Sequence, residues 1–175
     1  MDIFIILLII VAVVLFQFLQ PINDQKRIST LPTHRYNLLS GERDLFRSVS
    51  IIFCHLMKVD GQITKIELNE CKTFLYSEFT PEAANLILSH IKCYAKEMDP
   101  NNAVDPSFYE CVRKKFSYDR RVSFLNGMFK VAAIDSKIVR VEADIIMRCA
   151  QSMAVRNVDI DRLKGFYAYG FAWEE

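Results

Sequence analysis

"KVDGQITKIELNE", residues 58–70, and "AIDSKIVRVEADI", residues 133–145, share one skeleton: an aspartate, two residues, an isoleucine, three residues and a glutamate. At an offset of 75 residues Asp60 falls on Asp135, Ile63 on Ile138, Lys65 on Arg140, Ile66 on Val141 and Glu67 on Glu142. The likeness runs on. Leu68, Cys71, Phe74 and Leu75 fall on Ala143, Ile146, Cys149 and Ala150, all apolar, at the spacing that buries one face of a helix. Each copy therefore reads as a helix, a turn carrying Asp, and a second helix with Glu in its first turn. Two such hairpins packed about an approximate two-fold axis are the simplest way to bury both stripes.

Outward from the repeat, the remaining body carries the same period. Ile87, Ile91, Tyr94 and Met98 form one stripe, and Val122, Leu125, Phe129 and Ala132 another. Glycine is scarce and alternating β-branched runs are missing. Thr80-Pro81 and Asp105-Pro106 each supply a cap followed by a first-turn proline, and Asn157 or Asp159 can cap the last helix. Helices are expected near 42–58, 65–78, 81–98, 106–116, 119–134, 140–154 and 160–168. The body, 41–175, is an all-α bundle of about seven helices with an internal hairpin repeat.

Residues 3–19, "IFIILLIIVAVVLFQFL", carry no charge, and a helix of that length just crosses a ~30 Å hydrocarbon core. A cleaved signal peptide needs a basic stretch before the apolar run and a small-residue cleavage site after it. Only Met1 and Asp2 precede the run, and "QFLQPIND" follows it. Residues 1–20 read as a single transmembrane anchor and 21–40 as a juxtamembrane linker mixing Pro, Ser, Thr, Asn and basic residues. Lys26, Arg27 and Arg35 lie after the span and no Lys or Arg lies before it, which puts the N-terminus outside and the body in the cytoplasm, at the inner membrane. Five cysteines, an odd number without a CxxC pair, agree with a reducing compartment. A net charge of +1 leaves no electrostatic footprint for nucleic acid.

The apolar helix before "KVDGQITKIELNECKTFL", the three-helix middle and "FLNGMFKVAAIDSKIVRVEADIIMRCA" together resemble the tellurite-resistance TerB-like family, over roughly residues 45–165. That family includes the cytoplasmic module of the membrane-anchored DnaJ-like co-chaperone DjlA. The resemblance implies an all-helical domain whose acidic residues form a divalent-metal or ligand site, working in stress response as a sensing or interaction module. The His-Pro-Asp signature of a J-domain is missing, so direct stimulation of an Hsp70 is not expected. The second copy also has Ser136 where the first has Gly61.

Three readings of Asp60, Glu67, Asp135 and Glu142 stand side by side. They are turn and capping residues, or ligands for a hard cation such as Ca²⁺ or Mg²⁺, or the carboxylates of a metal-dependent hydrolase. Thr64-Lys65-Ile66-Glu67 has the pattern of a capping box; in the second copy Val139 replaces Thr64 and cannot accept a cap bond. A hydrolytic centre usually wants histidine, and only His55 lies close in sequence. His90 and Cys93 form half of a zinc spacing with no matching half, and Lys114, Lys115, Arg120 and Arg121 form a basic cluster between two helices. No phosphate loop or nucleophile elbow occurs. "FYAYGFAWEE" is dense in aromatics, and Tyr169, Phe171 and Trp173 are candidate anchors for a protein partner or a second copy.

Overall fold

The computed structural model describes residues 40–135 and 137–167. The expected anchor, nearly all of the linker, and Tyr169, Phe171 and Trp173 lie outside them. Seven α-helices appear among the described residues: α1 Ser40–Lys58, α2 Lys65–Glu78, α3 Pro81–Glu97, α4 Pro106–Lys115, α5 Tyr118–Ala132, α6 Arg140–Ser152 and α7 Asn157–Phe166. A 3-10 turn, Ala133–Asp135, closes α5. Among the described residues there is no strand, and no helix is long and apolar enough to cross a membrane.

The starts of the helices follow from local chemistry. Thr80 accepts a hydrogen bond from the Ala83 N–H with Pro81 in the first turn, and Asp105 accepts from the Ser107 N–H at 2.8 Å ahead of Pro106. The start of α7 differs from the expectation. Arg156 takes the cap position, so the helix begins at Asn157 and Asp159 lies inside its first turn. Asp159 is drawn there by the Tyr118 hydroxyl, which donates to it at 2.6 Å, and by the Arg156 guanidinium at 3.0 Å. The preceding helix ends on Ala154 at φ 53°, where the Val155 N–H reaches back to the Ala150 carbonyl at 3.0 Å. That is a left-handed closure of the kind glycine usually makes.

Helix α1 is the centre of the body. Every residue from Ser48 to Met57 is buried, so this part of the helix is enclosed on all sides rather than along one stripe. Ser50, Cys54 and Lys58, one turn apart, direct their side chains at the carbonyls of Ile87, Ile91 and Ala95 on α3, also one turn apart. Residue numbers rise together along both helices, so α1 and α3 run parallel. Six phenylalanines continue the core: Phe53 meets Phe74 at 5.4 Å and Phe124 at 5.3 Å, Phe124 meets Phe116 at 5.9 Å, Phe116 meets Phe79 at 6.1 Å, and Phe79 meets Phe46 at 6.2 Å. Most of these pairs are edge-on or tilted, the arrangement that ring quadrupoles favour. Helices α2 and α5 pack closely because Gly127 faces the Phe74 ring, which a Cβ at that position would meet at 2.5 Å.

The two repeat motifs form as expected up to their turns. Cys71, Phe74 and Leu75 are buried in the first copy, as are Ala143, Ile146, Cys149 and Ala150 in the second. Each second helix carries its glutamate at the third position, and the 3-10 turn of the second copy packs against α2 of the first as well as against α5.

Candidate functional site

Gly61 has φ 125°, a conformation that side chains resist, and its N–H donates to the Lys58 carbonyl at 2.9 Å. This tight turn leaves Asp60 exposed and brings the chain to Thr64. There the full box forms: the Thr64 N–H donates to Glu67 Oε2 at 2.7 Å, and the Glu67 N–H donates to Thr64 Oγ1 at 3.2 Å. Glu67 is 2% exposed. In the second copy only one arm exists. The Val139 N–H donates to Glu142 Oε2 at 2.9 Å, and the valine side chain has no oxygen to return the bond. Glu142 is 5% exposed. Each glutamate thus turns a carboxylate oxygen to an N–H just ahead of its helix, where the helix dipole also favours negative charge.

Asp135 ends the 3-10 turn, at the place in the second copy that Asp60 holds in the first. Among the described residues no three His, Cys, Asp or Glu side chains gather as metal ligands. His55 lies against a different loop. Its ring is beside the carbonyls of Pro100 and Asn102, yet neither nitrogen makes a hydrogen bond of ordinary geometry. Burial, helped by the Arg148 charge, holds its pKa below the usual imidazole value against the pull of those two carbonyls. His90 is shifted the same way, by burial and by Arg47, while Cys93 is exposed.

All five cysteines are free. Burial pushes the Cys54 thiol up to about 11 and the Cys71 and Cys149 thiols higher still, so these three stay protonated and unreactive at neutral pH. The basic cluster divides in two. Lys114 and Arg113 pair with Glu110 on the surface of α4. Arg120 and Arg121 instead join helix corners: Arg120 donates to the Glu78 carbonyl at 2.8 Å and lies 4.6 Å above the Phe116 ring, and Arg121 donates to the Met153 carbonyl. Tyr118 sits between the guanidiniums of Arg121 at 5.2 Å and Arg156 at 4.8 Å. Sequence reading grouped these residues by charge. Their role as corner ties depends on helices that are distant in the chain.

A family model described as tellurite resistance protein TerB matches residues 47–165, which takes in both repeat motifs and all seven helices at least in part. No curated protein and no solved structure matches the chain.

Proposed function

The chain belongs to the TerB family, and from that premise we propose that it is a non-enzymatic interaction module. Residues 3–19 hold it at the cytoplasmic face of a membrane, where it serves a stress-response or chaperone-associated assembly. One observation carries the reading: the acidic residues of the repeat that are buried, Glu67 and Glu142, close helix starts, so the most distinctive motif of the chain builds a scaffold. The buried thiols add support, since burial keeps them protonated rather than activated. A scaffold of this kind acts through contacts, and Tyr169, Phe171 and Trp173 are the residue types that dominate interfaces.

A second reading has its own observation. Two carboxylates are kept out of water, a costly state for a charge, in the two turns that the repeat relates. Asp60, Glu67, Asp135 and Glu142 would then hold Ca²⁺ or Mg²⁺ as a regulatory ligand of the same module.

Recovery of partners on the full chain from its own membrane, with and without chelator, tests both readings. A partner captured in either condition and lost when residues 166–175 are removed supports the interaction module. Capture that needs the cation, and fails for Glu142→Gln, supports the metal. No captured protein together with turnover of a phosphoester substrate overturns the non-enzymatic reading.

A further inference from the structure

His55 is the polar side chain that the fold serves least well. It is 6% exposed, and both ring nitrogens are closed to water without a hydrogen-bond partner of ordinary geometry. Most buried polar atoms have one. The ring lies beside the Pro100 and Asn102 carbonyls, in the connection between α3 and α4, residues 98–105. That connection is tied at both ends. Lys58, one turn along α1 from His55, donates to the Ala95 and Met98 carbonyls at 2.7 and 2.5 Å, and Asp105 caps α4 by accepting from the Ser107 N–H at 2.8 Å. Between the ties the chain turns on itself: the Asn101 N–H donates to Asp99 Oδ1 at 3.0 Å, and the Asn102 N–H to the Asp99 carbonyl at 3.2 Å. These bonds stay within the connection, whose middle meets α1 at the His55 ring. Residues 101–103 are exposed, and Met98 and Val104 pack on the core to either side.

Neither charge state of His55 suits this closed arrangement. A neutral imidazole has one N–H and one lone pair, whereas a carbonyl only accepts, so one of the two carbonyls faces a nitrogen that cannot donate. An imidazolium offers both donors but puts a charge out of reach of water, with the Arg148 guanidinium of α6 facing it. Other ionisable groups of the neighbouring elements give no relief. Lys58 of α1 is itself a cation, Tyr109 of α4, which also feels Arg148, is kept protonated by burial, and Asp99 and Asp105 of the connection are exposed and engaged by Asn101 and Ser107. With the connection lifted, water serves the ring and both carbonyls in either charge state.

We propose that His55 is a proton sensor, and that its protonation opens the middle of the connection, residues 99–104, away from α1 while Lys58 and the α4 cap hold the two ends. The closed form binds the proton less readily than the open form, in which the imidazole has its ordinary value of 6.5, so acid favours opening. The gain is at most about tenfold at pH 5.5 and almost nothing at pH 7.5. This response is independent of what the module binds.

Thermolysin, which cuts ahead of bulky apolar residues, reads the opening at Val104 in the full chain in phosphatidylcholine nanodiscs. Cuts are located by mass spectrometry, and rates at pH 7.5 and 5.5 are divided by those on a short peptide of the same sequence. When opening and closing are fast, such rates follow the population of the open form. Normalised cleavage ahead of Val104 is expected to rise by up to about tenfold at pH 5.5. In His55→Gln, which keeps amide donors for the carbonyls and does not titrate, it is expected to be the same at both pH values. Arg148→Glu, at an exposed position, replaces the cation facing the ring with an anion and is expected to diminish the rise, while His90→Gln is expected to leave it unchanged. Far-UV circular dichroism at both pH values checks the fold of each variant, and the Arg148→Glu comparison decides if His55→Gln does not fold. Four results overturn the sensor: no rise in the unaltered chain, an equal rise in folded His55→Gln, an undiminished rise in Arg148→Glu, and a rise matched by cuts within α1 and α5, which assigns it to unfolding of the whole body.

Discussion

Val139 stands where Thr64 stands in the first repeat, and the difference is one hydroxyl oxygen. Thr64 Oγ1 accepts from the Glu67 N–H in the first turn of α2, and the Val139 side chain has no atom that can do the same for α6. Val139→Thr supplies the oxygen, and we expect it to stabilise the fold by roughly 0.5–1 kcal/mol in urea unfolding, while Thr64→Ala costs about 1 kcal/mol. Equal and opposite effects are the signature of a shared box; a destabilised Val139→Thr shows that the α6 start does not need it. His55 gives a pH dependence. Its pKa is lowered in the folded state, so the unfolded chain binds the proton first, and stability falls as pH drops below the ordinary imidazole value of 6.5. His90 contributes in the same direction. Urea midpoints at pH 7.5 and 5.5 are expected to differ less in His55→Gln than in the unaltered chain; an undiminished difference assigns the acid sensitivity elsewhere.

At the scale of the helix, Gly127 decides how near α5 comes to α2. Alanine favours a helix over glycine by about 1 kcal/mol. Here, however, the added Cβ meets a ring on the facing helix at 2.5 Å, and overpacking of that kind costs roughly 1–3 kcal/mol. Gly127→Ala is therefore expected to lower the thermal midpoint, and Phe74→Leu in the same chain to recover part of the loss; a raised midpoint shows that the ring moves aside freely. The helix limits themselves were legible in the sequence because caps, first-turn prolines and the 3.6-residue period act locally. The first capping box and the missing arm at Val139 were legible for the same reason. What sequence did not reveal depends on pairs distant in the chain. The Tyr118 hydroxyl moves Asp159 from cap to first turn, Ser50, Cys54 and Lys58 set α1 parallel to α3, and six phenylalanines connect three helices and two corners. No local period reports which ring another ring will meet.

For the whole molecule, orientation across a membrane is an expectation from charge. Lys26, Arg27 and Arg35 follow the apolar run, so protease added outside intact cells or spheroplasts is expected to leave residues 41–175 uncut. Digestion without lysis reverses the orientation. The enclosure of α1 has a further consequence, for the order of events during synthesis. A chain emerges from the ribosome N-terminal end first, yet the earliest helix of the body is the one surrounded by later helices. Phe53 has no ring to meet until Phe74 has emerged, and the contact with Phe124 waits for α5. Until then a nascent chain carries residues 48–57, a mostly apolar stretch bound for complete burial, with nothing of its own to cover it. Contacts between distant residues are slow to form, and surface exposed in the interval is where aggregation starts. The burial that makes α1 the firmest part of the finished fold makes it the most exposed part of the unfinished one.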